Sequence, residues 1–215
     1  MARPKKQINR RADILNTAQK LYTEKGFEKT TIDEIAKSVG ISKGSVYLDF
    51  KNKEDILISI IEQQVNMLQK RLELDILNAK PPYIDELKEA LKQDVSTIFD
   101  MATSQVHTHV ALIHTSYQIR TRLDSTIQRC FELIAILMKK AETNHEIKPF
   151  NDYKKLARLI NISLQGFFPP YDIKYSLDHR TDLTKEEIRS LLIEDASLVI
   201  NILMAGLKTI DYNNN

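Results

Sequence analysis

The tightest constraint on this chain is the spacing of Ala36, Gly40 and Val46 within residues 31–53. Thr31 is placed to cap a first helix, and Glu34, three residues on, to reach back to the Thr31 amide as a capping box. Ile32, Ile35, Ala36 and Val39 share one helical face, and Gly40 follows where a left-handed residue ends the helix without a Cβ clash. Ser42 caps a second helix, whose Val46 and Phe50 continue an apolar stripe that packs back on Ile35 and Val39. A small residue at 36, a glycine four positions later and an apolar residue six after that let two short helices cross steeply, which predicts a helix-turn-helix.

With those positions buried, the second helix turns Lys43, Gly44, Ser45 and Tyr47 outward. A cation in the first turn suits a guanine edge or a phosphate, a hydroxyl suits either, and glycine lets a backbone come close. A tyrosine hydroxyl suits a phosphate. Asn52 caps a further helix whose first residue, Lys53, sets an ammonium beside that helix's positive end. Two capped helices around a glycine also occur in helical domains that never meet nucleic acid, so the charge distribution is an independent check.

The chain carries 31 Lys and Arg against 29 Asp and Glu, a net of +2. Residues 1–55 hold 12 basic and 8 acidic residues, a net of +4, and the remainder a net of −2. Arg3, Lys5, Lys6, Arg10 and Arg11 precede every acid, forming a basic arm suited to phosphates or a minor groove, or else a solvated terminus. That arm lacks the apolar stretch of a secretory signal, and no run of 18 apolar residues follows, so a cytoplasmic protein with no membrane partner is expected. The single cysteine, Cys130, excludes an internal disulfide and reads as a core residue.

Five glycines and no stretch of alternating polarity argue against a sheet, so the fold is expected to be all-α. Besides the two short helices of the motif, helices are predicted over about 8–25, 53–78, 84–103, 106–120, 124–144, 153–168 and 184–209. Pro81-Pro82 breaks the pattern, because each proline lacks an amide donor and restricts the residue before it. The expected division is an N-terminal three-helix helix-turn-helix domain over 1–52 and a C-terminal helical bundle over 53–215.

From Thr30 through Leu57, the run Thr-Thr-Ile-Asp-Glu-Ile-Ala-Lys-Ser-Val-Gly-Ile-Ser-Lys-Gly-Ser-Val-Tyr-Leu-Asp-Phe-Lys-Asn-Lys-Glu-Asp-Ile-Leu resembles the DNA-binding signature of the TetR (tetracycline repressor) family. The resemblance covers about residues 10–60. It implies a dimeric transcriptional regulator, usually a repressor, that a small effector in the C-terminal domain releases from an inverted-repeat operator. It implies no cofactor and no enzymatic activity. Carried over position by position, DNA contacts fall on Thr31, Ser42, Lys43, Gly44, Ser45, Tyr47 and Lys53. Where many members have His, this chain has Asp49, whose carboxylate a phosphate would repel unless it pairs with Lys51 or Lys53.

One such motif is too small for tight site selection, so a dimer interface is expected. Thr184 and Glu187 form a second capping box, opening a helix with a broad apolar band that includes Ile188, Leu192, Val199, Ile202 and Gly206. Leu156, Leu159, Ile160, Ser163 and Leu164 offer a matching face upstream, and the pair would build a four-helix bundle across a two-fold axis. For an apolar or amphipathic effector, the candidates are Phe99, Met101, His107, His114, Tyr117, Phe131, Gln165 and Phe168.

Metal binding finds little support in the spacing. His107 and His109 diverge around a helix, and His107 and His114 are about 10.5 Å apart along one. Two other classes remain open: a DNA-binding dimer without a ligand, and a helical-bundle enzyme, for which Glu142 and His145 would supply half of a di-iron ligand set.

Overall fold

The computed structural model describes residues 9–103, 109–167 and 183–209, apart from the side chains of Ala102 and residues 109–116. Among these the fold is all-α. In chain order the helices are α1 (Arg10–Lys25), α2 (Ile32–Val39), α3 (Lys43–Tyr47), α4 (Lys53–Asn78), α5 (Tyr83–Ala102), α6 (His109–Thr143), α7 (Tyr153–Leu164) and α8 (Lys185–Thr209). A 3-10 turn, Gln165–Phe167, follows α7 where one longer helix was predicted.

Most helix ends are set by local chemistry. Asn9 caps α1 by accepting the Ala12 amide, Ser42 caps α3 through the Ser45 amide, and Asp152 caps α7 through the Lys155 amide. Asn52 does the same for α4, accepting the Asp55 amide at 2.8 Å. Thr184 and Glu187 close the reciprocal box expected before α8. The start of α5 is different. Behind Pro81-Pro82 the Asp85 amide reaches the Pro82 carbonyl at 3.1 Å, while Glu146, more than 60 residues away, accepts the Tyr83 and Ile84 amides at 2.9 and 2.7 Å.

The predicted break between 120 and 124 does not occur, and α6 runs through it unbroken. Thr121 turns its hydroxyl back to the Tyr117 carbonyl at 3.0 Å instead of capping a new helix. Leu123 is buried, so the register continues through a core contact.

The chain divides into two compact units: Met1–Val65 with Met101–Leu123, and Asn66–Asp100 with Asp124–Asn215. The start of α4 is tied to α1, with the Tyr22 hydroxyl on the Lys53 carbonyl at 3.4 Å and Arg11 on Ser59 at 3.2 Å. The first unit buries Ile14, Leu15, Ala18 and Tyr22 of α1, Ile32, Ile35 and Ala36 of α2, Val46 of α3, and Ile56, Leu57 and Ile60 of α4, with Phe27 and Phe50 between them. The second buries Leu87 and Leu91 of α5, Leu133, Leu137 and Met138 of α6, Leu156, Ile160 and Leu164 of α7, and Ile200 and Met204 of α8. By length and composition alone, α8 is long and apolar enough to cross a bilayer. Its apolar side chains fall into two stripes, and one of them, Leu192, Ala196, Ile200, Met204 and Leu207, is buried in this core.

Candidate nucleic-acid interface

The first unit presents α3 on a scaffold fixed from three sides. Thr31 accepts the Glu34 amide at 3.2 Å while Glu34 accepts the Thr31 amide at 3.0 Å, so the predicted capping box is formed. Glu34 also takes the Lys25 ammonium at 2.8 Å, tying the end of α1 to the start of α2. Gly40 sits at φ +80° and its amide reaches the Ala36 carbonyl at 3.0 Å, so it supplies the left-handed turn before α3. Thr30, buried in the turn before α2, donates its hydroxyl to the Gly26 carbonyl at 2.9 Å.

On this scaffold the predicted contact residues Thr31, Ser42, Lys43, Gly44 and Tyr47 are exposed, and Ser45 is half-buried. The Ser42 and Ser45 hydroxyls are 2.8 Å apart. Lys43 is held by Asp33 of α2 at 2.9 Å, a neutralising partner that raises the ammonium's pKa. Lys53 is turned inward. Its ammonium donates to the Phe27 and Glu28 carbonyls at 2.9 and 3.3 Å and lies 4.2 Å from the centre of the Phe27 ring. It therefore anchors the α1–α2 turn, and of its three donors one is left for a phosphate.

Glycine at 44 is not a requirement of the fold. Its φ is outside the left-handed region, and an added Cβ would meet only Ser42 Oγ at 3.8 Å, an ordinary contact. Glycine inside a helix costs about 1 kcal/mol relative to alanine, so this position gives up stability for a bare outward surface. Leu48, four residues on and still in right-handed helical conformation, is 75% exposed beside it. Sequence reasoning left Leu48 out, although its place opposite Val46 and Phe50 in the helical period was a usable signal. An apolar group there suits a thymine methyl.

Asp49 has neither of the partners expected for it. Arg10, at the start of α1, grips it with two hydrogen bonds, Nε to Oδ2 at 2.5 Å and the second terminal nitrogen to Oδ1 at 3.1 Å. Lys53 is committed to the carbonyls above, and the planar guanidinium fits a carboxylate bidentately in a way an ammonium cannot. The pair holds the Asp49 carboxyl below its usual range. Arg3, Lys5 and Lys6 of the basic arm lie outside the described residues.

This arrangement, a capped pair of short helices with a cationic, hydroxyl-bearing outer face, has relatives. Residues 14–60 match the family described as bacterial regulatory proteins, tetR family. Over these residues the chain carries a DNA-binding domain of this family. The regulator is 28% identical over 185 residues to the biofilm operon icaADBC HTH-type negative transcriptional regulator IcaR of Staphylococcus aureus, covering 83% of this chain and 95% of that one. Its fold matches a transcriptional regulator from Cytophaga hutchinsonii with a TM-score of 0.74 at 22% identity, over 94% of this chain and all of the other. It also matches FadR from Bacillus subtilis, solved in complex with stearoyl-CoA, with a TM-score of 0.55 at 22% identity, over 91% and 98% of the two chains.

The second unit divides the expected dimer residues between two faces. Leu156, Ile160, Leu164 and Leu192 point into the regulator's own core, because they recur every four residues on the buried stripes of α7 and α8. Leu159, Ser163 and Ile202 face outward, with Ile188, Val199 and Gly206 between the two faces. Ile162 and Leu198 complete the outward apolar set; on α8, Leu198 and Ile202 are each 62% exposed and lie opposite its core stripe.

The described effector candidates are divided between the two units. Phe99 is buried in the second unit, Phe131 is half-buried against its core, and Gln165 is exposed in the 3-10 turn. Met101 and Tyr117 belong to the first unit, the latter 80% exposed. His107 and Phe168 lie outside the described residues, as does the side chain of His114. A surface groove of about 390 Å³ lined by Tyr83, Ile136, Lys139, Lys140, Thr143 and Asn144 includes none of them. Among the described residues no three His, Cys, Asp or Glu side chains are grouped to hold a metal ion. Burial and the nearby Asp94 push the Cys130 thiol up to about 11, far from a reactive thiolate.

Proposed function

We propose that this regulator is a homodimeric cytoplasmic repressor, released from an inverted-repeat operator by a small apolar or amphipathic effector bound in the second unit. Gly44 is the observation that carries the DNA-reading part. A helix that gives up stability for an uncovered surface, flanked by Lys43, Tyr47 and Leu48, suits close approach to the major groove. The dimer is supported by the outward stripe Leu159, Ile162, Leu198 and Ile202, which a copy of itself would cover in a four-helix bundle. Two reading helices would then address half-sites about 34–36 Å apart.

The repressor assignment draws on the likeness to IcaR, a negative transcriptional regulator, over 83% of the chain. An apolar effector draws on the stearoyl-CoA held by the FadR structure and on Phe131 at the edge of the apolar core. Release would be a population shift: coupling of about 1–3 kcal/mol between the two sites changes DNA affinity about 5–150-fold. The transmitting parts are α4, which contributes to both units, and Arg122 of α6. Within the first unit, Arg122 grips α4 through Asp55 at 2.7 Å, Ser59 at 3.1 Å and Glu62 at 2.5 Å.

Selection of bound sites from random duplexes tests the reading, with an inverted repeat as the expected outcome. Sites lacking two-fold symmetry, or no enrichment at all, would overturn it. Titration of the selected duplex with long-chain acyl-CoA, fatty acids and apolar cations, read as release, then defines the effector class.

A further inference from the structure

We infer that Arg10 is a phosphate-contacting residue of the DNA interface, held in position by Asp49. The inference rests on the DNA-reading function above and adds a contact outside the helix-turn-helix.

Two adjacent arginines at the start of α1 behave differently. Arg11 lies 4.9 Å from the centre of the Phe50 ring and donates to Ser59 at 3.2 Å, a packing and bracing role within the unit. Arg10 turns to the end of the reading helix instead, and its side chain stays 40% exposed while that of Asp49 is only 18% exposed. A guanidinium carries five N–H donors, and Asp49 takes two, so three remain on the more exposed partner.

The grip does two things. It fixes the plane of a side chain that would otherwise lose rotamer freedom on meeting DNA, so less entropy is lost when the remaining donors bind. It also cancels the carboxylate that directly follows α3, so phosphate meets a neutral pair whose more exposed member carries the donors. The basic residues 3, 5 and 6 precede Arg10 in the sequence, and Arg10 continues that run of cations that phosphates attract.

The test is binding of the full-length regulator to a fluorescent duplex of random sequence, followed by anisotropy across a salt series. Arg10→Gln/Asp49→Asn replaces the ion pair by two amides and leaves the net charge unchanged, so long-range attraction is constant. The expected result is a salt slope smaller by about 0.9, one phosphate contact, and roughly tenfold weaker binding at the lowest salt. Arg10→Lys, which keeps the charge, is expected to restore the slope. The same slope and affinity as the unmodified protein would overturn the inference. If the double variant melts early, the single variants decide. A contact predicts that Arg10→Gln lowers the salt slope by about 0.9 while Arg11→Gln, with the same change of net charge, leaves it unchanged, and equal slopes in these two variants would overturn the inference. Failure of the unmodified protein to bind any duplex would sink the DNA-reading function itself, a separate outcome.

Discussion

The reading surface of α2 and α3 and the outward face of α7 and α8 are both left uncovered by the chain, but they are uncovered in opposite ways. At the first, the exposed polar groups already have partners: Thr31 with Glu34, Ser42 with Ser45, Lys43 with Asp33, and Arg10 with Asp49. Such groups exchange one hydrogen-bond partner for another at small net cost, so the surface tolerates water and also suits phosphate. At the second, Leu159, Ile162, Leu198 and Ile202 offer only apolar area, which water penalises and only another apolar surface relieves. A surface whose polar groups can exchange partners is thus different in kind from an apolar one that water penalises.

The sharpest way to break that comparison is to exchange the roles of two leucines on α8. Leu192 is fully buried and Leu198 is mostly exposed, six residues further along the same helix. Leu192→Ala should cost about 2–5 kcal/mol of folding stability through the cavity it leaves, measured by denaturant unfolding. Leu198→Glu should leave the fold intact but set a charge in the dimer contact. Its expected cost is about 2 kcal/mol or more in association, seen as monomer in sedimentation equilibrium and as ~30-fold weaker operator binding. A Leu198→Glu protein that remains dimeric would show that this face is not the interface.

The two regions also differ in how far they could be read from sequence, and the reason is range. Thr31 and Glu34, Ser42 and Ser45, and Thr184 and Glu187 act three residues apart, so spacing alone announced them, and Gly40 marked its own turn. Arg10 and Asp49 are 39 residues apart, and Glu146 caps a helix 62 residues before it, so neither leaves a periodic trace. On α7, an apolar residue at 159 or 160 satisfies the same pattern, yet one faces outward and the other the core. Periodicity identifies an apolar band and does not say which edge of it the chain covers. Aromatic residues scattered along long helices likewise have no short-range mark to separate a lining from a core.

In the first unit, Arg122 tests whether an effector's influence travels through α6. Arg122→Gln removes the charge that Asp55 and Glu62 share while keeping most of the side chain's length. The expected outcome is unchanged effector binding and near-normal operator binding, with the ~1–3 kcal/mol of coupling reduced by half or more, read as operator affinity with and without effector. Full coupling in this variant would assign transmission to α4 alone.

Lys43 sharpens the polar side of the comparison. Its partner Asp33 is itself exposed, so Lys43→Ala should change stability by only about 0.5 kcal/mol or less. If the ammonium reads a guanine edge, the same change removes about 1–3 kcal/mol of discrimination at one operator position and alters the selected sequence. Equal losses on operator and random duplex would instead make Lys43 a phosphate contact.

The smallest effect is the most discriminating, because two glycines four residues apart should respond with opposite signs. Gly40 is at φ +80°, where any other L-residue is strained, and Gly40→Ala should cost about 1–2 kcal/mol of stability. Gly44 is in ordinary helical backbone with room for a Cβ, and Gly44→Ala should raise stability by up to about 1 kcal/mol. Its cost should appear only against DNA, where the new methyl group occupies the space the groove requires. A more stable protein that binds its operator less tightly is therefore the expected signature. A Gly44→Ala protein that gains stability and keeps full affinity would mean that the bare surface of α3 faces solvent, and that the groove is read by its flanks at Lys43 and Tyr47.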